Sequence, residues 1–291
     1  MGEKIKNIYF PLLIAVIAVS FSSIFIRLCK APPLVIAAYR LGIASIILLP
    51  FMIYYGSNIS EKYSRKDLLK IFFISFFLSI HFASWITSLN YTSIANSVII
   101  VNTSPIFVAI FSYYILKERI DYNTIIGIII AFIGTIIIAI GDYGINENNL
   151  LGDMYALIGA IALSIYIIGG REIRKKMNLY LYVTPVYAIS SILLIIACIF
   201  LKIQLYPYSL REYLIFLLLA IIPTIFGHTI YNWILKNIEA TTVAISLLGE
   251  PIGSTILAII IFNEIPNFLT FIGGPITLIG IFIAIRKINK F

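Results

Sequence analysis

Glu250 sits about ten residues into an apolar stretch that begins near residue 240, roughly 15 Å deep if the stretch is a helix. A carboxylate at that depth in a bilayer costs at least about 2.5–3.5 kcal/mol on insertion scales, so a partner, water or a proton must offset it. Ser246 and Ser254 stand at i−4 and i+4, and Gly249 and Gly253 leave room for a close neighbour. Such an acid can contact a substrate amine or carry a proton. It can equally be a structural group bonded to a serine or to an adjacent helix.

Arg40 follows Tyr39 about seven residues into another apolar stretch. A guanidinium keeps its charge, so it must pair, reach water or snorkel to the headgroups. It could clamp a substrate carboxylate or pair with Glu250. His81 and His228 are the only histidines. Histidine titrates near neutral pH and can relay protons, although a buried histidine is often simply a satisfied structural residue. No acid or thiol stands at ligand spacing beside either one, so neither reads as a metal ligand.

Trp85 lies four residues after His81, and Asn102 lies in a polar run that ends at Ser104. Thr224, His228, Tyr231 and Asn232 would share one face of an α-helix. These residues can stack on a planar or cationic group and hydrogen-bond to it. Pro105 and Pro251 interrupt their stretches, and a proline frees a carbonyl one turn earlier and permits bending. The candidate substrate-binding residues are therefore Arg40, His81, Trp85, Asn102, His228, Tyr231, Asn232 and Glu250. Glu250, His81 and His228 are candidates for proton coupling, and Pro105 and Pro251 for bending.

The elements that must position them are membrane helices. Of the 291 residues, 61% are hydrophobic and 12% charged, and mean hydropathy is +1.03. A soluble domain carries about 25% charged residues to build its polar shell. The net charge of +8 then bears on membrane orientation, not on nucleic acid. Ten stretches are long and apolar enough to be read as spans: 8–28, 34–55, 68–88, 94–116, 123–141, 152–170, 179–201, 212–235, 240–262 and 268–286. The N-terminal run is read as a retained span. No connecting loop could hold a nucleotide-binding domain and no GxxxxGK[ST] occurs, so neither ATP nor another cofactor is expected.

With the N-terminus inside, all Lys and Arg fall on the cytoplasmic side except Arg27, Lys30, Arg40, Lys202 and Arg211. That bias places both termini in the cytoplasm of a multi-pass protein of the cell's inner membrane. Tyr54, Tyr55, Tyr113, Tyr114 and Trp233 read as interfacial anchors. Cys29 and Cys198 read as apolar fillers of helices.

The chain also contains itself twice. Pro105, Glu118, Gly127 and Gly134 match Pro251, Glu264, Gly273 and Gly280 at one offset. Ile17–Ser20 (IAVS) matches Ile161–Ser164 (IALS), Arg27 matches Arg171, and His81 matches His228. The expected domains are 1–141 and 152–291, each of five spans. An odd number of spans inverts the second copy, and inverted repeats permit alternating access to a site near the midplane. Glu118 and Glu264 would then cap or gate opposite sides.

Several segments, in order and duplicated, carry a family resemblance. They are SSIFIRL (22–28), APPLVIAAYRLGIASIILLP (31–50), TSIANSVIIVNTSPIFVAIFSYYILKERI (92–120), PTIFGHTIYNWILK (223–236) and ISLLGEPIGSTILAIIIFNEIP (245–266). The chain resembles the EamA-type members of the drug/metabolite transporter superfamily over nearly its whole length. The resemblance implies an all-α membrane protein of ten helices that moves small metabolites. It also implies a central cavity lined by spans 1, 3, 4, 6, 8 and 9. Export of amino acids or related compounds is the leading expectation, with uptake or a membrane enzyme acting on a lipid-linked substrate as alternatives. The expected partners are a small-molecule substrate, the bilayer and, as one option, protons. Oligomeric state is left open.

Overall fold

The computed structural model describes residues 9–57, 63–116, 122–142, 149–237 and 240–285. Every regular element among them is helical. In chain order these are α1 (Tyr9–Ser20), α2 (Ser22–Leu28), α3 (Pro33–Ser57), α4 (Arg65–Ser88), α5 (Ile94–Val101), α6 (Ser104–Leu116) and α7 (Tyr122–Asp142). There follow α8 (Asn149–Arg174), α9 (Leu179–Phe200), α10 (Leu210–Leu219), a π-helical segment (Ala220–Thr229) and α11 (Ile230–Ile234). The chain continues through α12 (Ala240–Ser246), α13 (Gly249–Phe262) and α14 (Phe268–Ile285).

Seven helical stretches are long and apolar enough to cross a membrane: 10–28, 33–56, 65–88, 94–115, 149–174, 179–200 and 210–234. Ile125–Ile138, Gly249–Phe262 and Phe268–Gly280 are shorter apolar helices. Hydrocarbon offers no hydrogen-bond partner, so helices that satisfy their own backbone override the strand preference of the abundant isoleucine. Large apolar side chains such as Ile46, Leu69, Ile260 and Phe268 face outward, as a lipid-facing surface requires. Tyr54, Tyr55, Tyr113 and Tyr114 are exposed, and so is Trp233.

Polar residues start several helices. Ser64 and Asp67 form a reciprocal capping box on α4, and Ser93, Asn178 and Ser209 cap α5, α9 and α10. Each cap satisfies amides that the helix itself leaves open.

The most extensive pairings are α7 with α14, α3 with α9 and α4 with α8, followed by α1 with the π-helical segment and α4 with α9. Glycines set the closest one. A Cβ on Gly134 would meet the Gly273 carbonyl at 2.7 Å, and one on Gly280 would meet the Gly127 carbonyl at 2.7 Å. Gly127 and Gly134 are the repeat mates of Gly273 and Gly280. The same sequence offset therefore maps one contact onto the other. The α4–α8 pair closes in the same way, with Gly159 against Trp85 and Gly169 against Ile74.

The stretch 94–116 is broken at Asn102 and Thr103, and 240–262 is broken at Leu247 and Leu248. Pro105 and Pro251 sit in the first turn after each break, where a missing amide hydrogen costs nothing. The long helix expected over 212–235 is also interrupted, by the π-helical segment containing Pro223. Glu118 and the chain's ends lie outside the described residues.

Alanine at position 280 must displace the Ala131 backbone, whereas alanine at position 56 meets only the flexible end of Leu181. Gly280→Ala is expected to destabilise the bundle by about 2 kcal/mol, and Gly56→Ala by less than about 0.5 kcal/mol. Thermal unfolding in detergent checks this, and equal midpoints for the two variants would contradict it.

Candidate functional site

Segments 1, 3, 4, 6, 8 and 9 meet around a small cavity of about 20 Å³. Its lining includes Val19 and Ser22 from α1 and α2, His81 and Trp85 from α4, Val101 from α5, and Leu163 from α8. His228 of the π-helical segment, Leu247 at the break and Glu250 of α13 complete it. A second cavity of about 20 Å³ shares Leu163, His228 and Leu247, and adds Tyr166, Ile167, Tyr231, Asn232, Leu235 and Val243. Each space suits a single water rather than a metabolite, so the site is held closed. A larger apolar cleft between α3 and α9, about 280 Å³, holds none of the predicted site residues.

Glu250 lies in the first turn of α13 and is buried. The positive end of that half-helix favours a carboxylate. The Asn102 amide donates to Glu250 Oε2 at 3.3 Å, which ties the two helix breaks together. Gly249 packs on Val16 and Gly253 on Ser20, so α1 approaches α13 closely. Neither flanking serine hydroxyl bonds the carboxylate. Ser254 donates to the Glu250 carbonyl, and Ser246 donates to the Val243 carbonyl on the other side of the break.

His81 donates from Nδ1 to the Gly159 carbonyl at 3.0 Å, which fixes its neutral tautomer and leaves Nε2 as an acceptor. Its ring stacks on Trp85, centroids 5.9 Å apart and 7° from parallel. The His228 ring lies 6.3 Å from His81 and 5.2 Å from Phe82. The two histidines thus converge. Among the described residues no three His, Cys, Asp or Glu side chains gather as a metal site would require.

Arg40 is fully buried and lines neither cavity. It donates from Nε to Thr224 Oγ1 and from one terminal nitrogen to Ser22 Oγ, both at 3.1 Å. Its guanidinium lies 4.2 Å over the Phe82 ring. The residue therefore neither snorkels nor forms an ion pair with Glu250. It braces α3 against α2 and the π-helical segment from behind the cavity wall, and its other terminal nitrogen has no partner among the described residues.

The π-helical turn redirects the face on which Thr224, His228, Tyr231 and Asn232 were expected together. A wider turn carries more residues, so i+4 neighbours no longer align there. Thr224 points to Arg40 while His228, Tyr231 and Asn232 line the cavities. Asn232 donates to the Tyr166 hydroxyl at 2.6 Å and to the His228 carbonyl at 2.7 Å. Sequence reasoning missed Phe82, Tyr166, Leu163 and Leu247. Tyr166 alone left a signal, as the bulky mate of Ser22 in the repeat.

Polar contacts join the ends of these segments. At one end Arg27 reaches Glu264 at 3.5 Å and the Thr92 carbonyl at 3.0 Å, and Glu264 accepts from the Ile94 amide at 2.5 Å. At the other end Arg171, the mate of Arg27, donates to the Leu235 and Lys236 carbonyls at 2.5 and 3.0 Å. There Lys176 also pairs with Asp67, and Lys70 with Glu172.

Cys29 is not a helix filler. It caps α2, and its thiol donates to the buried Glu212 at 2.8 Å. Burial, reinforced by that carboxylate, pushes the thiol up to about 12.

The model of the EamA-like transporter family matches residues 6–140 and again 150–286. An "Uncharacterized transporter" of Archaeoglobus fulgidus is 28% identical, covering 97% of this chain and 99% of its own. An "S-adenosylmethionine uptake transporter" of Rickettsia conorii is 26% identical, covering 88% of this chain and 85% of its own. A protein solved by crystallography shares the fold with a TM-score of 0.71 at 16% identity, covering 98% of this chain and 99% of that one.

The thiolate is the reactive form of cysteine, so a raised pKa slows alkylation at every pH below it. With Cys198→Ala removing the other thiol, Cys29 should react with iodoacetamide at pH 8 about a thousandfold more slowly than free cysteine, and faster as pH rises toward 12. Alkylation at the rate of free cysteine would contradict the buried Glu212 contact.

Proposed function

Because the chain belongs to the EamA-like transporter family, whose members are transporters rather than enzymes, we propose that it is a secondary active transporter of small metabolites working by alternating access. In this reading ten spans form two inverted five-span repeats, 1–141 and 152–291. The double match to one family model and the exchange of glycine contacts between α7 and α14 support it. The Lys and Arg bias supports a multi-pass protein of the cell's inner membrane with both termini in the cytoplasm. The Arg27 end then faces outward and the Arg171 end inward.

One observation carries the reading. A buried carboxylate at the start of a broken helix lines a closed cavity formed by six segments, with polar latches at either end. Opening one latch while the other holds would expose Glu250 to one side at a time. The substrate is an amino acid or a related compound whose ammonium group meets Glu250 against the His81–Trp85 stack. Export driven by exchange with protons on Glu250 is the preferred direction, and His81 and His228 border the route. Uptake is the second reading. It is favoured by the S-adenosylmethionine uptake relatives, because a carboxylate beside aromatic rings also suits a sulfonium cation.

Glu250→Gln in liposomes is expected to abolish flux driven by a pH gradient while leaving substrate counterflow measurable. Undiminished pH-driven flux would exclude Glu250 as the proton carrier.

A further inference from the structure

Three buried polar groups on the cavity walls make no well-formed hydrogen bond among the described residues: Trp85 Nε1, Asn232 Oδ1 and Tyr231 Oη, which has the Ser246 hydroxyl near it. The rest of Asn232 is engaged, since its Nδ2 serves both Tyr166 and His228. Its oxygen is thereby held in place by two bonds and left without a partner, beside Gly170. In a protein interior without lipid-borne partners such groups call for a ligand or for water.

Their placement is directional. Trp85 shares the first cavity with Glu250, whereas Tyr231 and Asn232 line the second. Leu163, Leu247 and His228 belong to both walls and form the partition. The halves of the chain also differ here. At the offsets that pair Ser20 with Ser164 and His81 with His228, Tyr166, Tyr231 and Asn232 fall opposite Ser22, Ser84 and Trp85. The tyrosine and amide set therefore occurs on one side of the histidines only.

We propose that the two cavities are the ends of one elongated site, with Glu250 holding the substrate's ammonium group and Tyr231 with Asn232 Oδ1 holding an uncharged hydrogen-bonding group at its far end. This rests on the transporter reading above and narrows its substrate class. Tyr231 can donate or accept and Asn232 Oδ1 accepts, so an amide or hydroxyl fits while a methyl terminus leaves both unpaired. Leu163 and Leu247 move aside when the site fills. They have no polar bonds to break, so the partition is the soft part of the wall.

The test uses Trp85 as its own reporter. Trp233→Phe removes the other tryptophan, which is exposed and lies outside both cavities. Glutamine and norleucine have the same head and similar length, and differ in whether the tail forms hydrogen bonds. In the full-length purified protein, glutamine should perturb Trp85 emission at about tenfold lower concentration than norleucine. Tyr231→Phe should erase about that factor for glutamine and leave norleucine unchanged. Leu163→Ala thins the partition without removing a hydrogen bond and should lower the glutamine half-saturation.

Equal half-saturation for the two probes, or a ratio untouched by Tyr231→Phe in a variant of unchanged thermal midpoint, overturns the two-ended site, as would water alone filling the second cavity. Liposome flux separates this from the parent reading. Transport of both probes with an unaltered ratio defeats only the inference. Failure of both to bind or move defeats the two together.

Discussion

Hydrocarbon cannot donate or accept a hydrogen bond, so a polar group carried past the membrane edge must find its partner within the chain, in enclosed water or in a ligand. The interior of this bundle is arranged around that requirement. Arg40 meets two hydroxyls and the face of Phe82, His81 meets the Gly159 carbonyl, and Glu250 meets Asn102 and a helix N-terminus. The partners come from six of the bundle's segments, so satisfying the polar groups also fixes the packing. Small residues make this possible, since Gly159, Gly249 and Gly253 let backbones approach until the polar side chains reach one another.

The same constraint explains why broken helices matter. A continuous helix hides all its amides, whereas the breaks at 102–103 and 247–248 open new helix starts inside the bundle. One of those starts holds Glu250. A break is also a joint. In the proposed cycle, opening one latch by bending at these joints would move half-helices instead of whole spans, and the Arg27–Glu264 and Arg171–Leu235 contacts are half-buried polar bonds at the ends of those segments.

Much of this was legible in the sequence. Polar residues in apolar stretches stood out because their cost is high, and Glu250, His81, Trp85 and His228 line one cavity together. The paired prolines mark breaks because a proline's missing amide hydrogen acts locally. What stayed hidden depends on packing between segments. Arg40 looked able to reach a substrate or a headgroup, but Phe82, Ser22 and Thr224 hold it behind the wall. The π-helical turn could not be read from Pro223 alone, and it split an expected helical face. Leu163 and Leu247 look like any other leucines until the cavities they separate are seen.

The central claim is that Glu250 and its neighbours are reached from one side of the membrane at a time. Val101 lines the cavity with Glu250, and a cysteine placed there in a protein lacking Cys29 and Cys198 reports access directly. A membrane-impermeant thiol reagent, applied to liposomes of known protein orientation, measures it from each side. Alternating access predicts labelling from either side, with saturating glutamine on one face shifting reactivity toward the other. Labelling from both faces that ignores substrate would indicate an open pore, and protection from both under all conditions would indicate a sealed bundle. Either result would contradict alternating access.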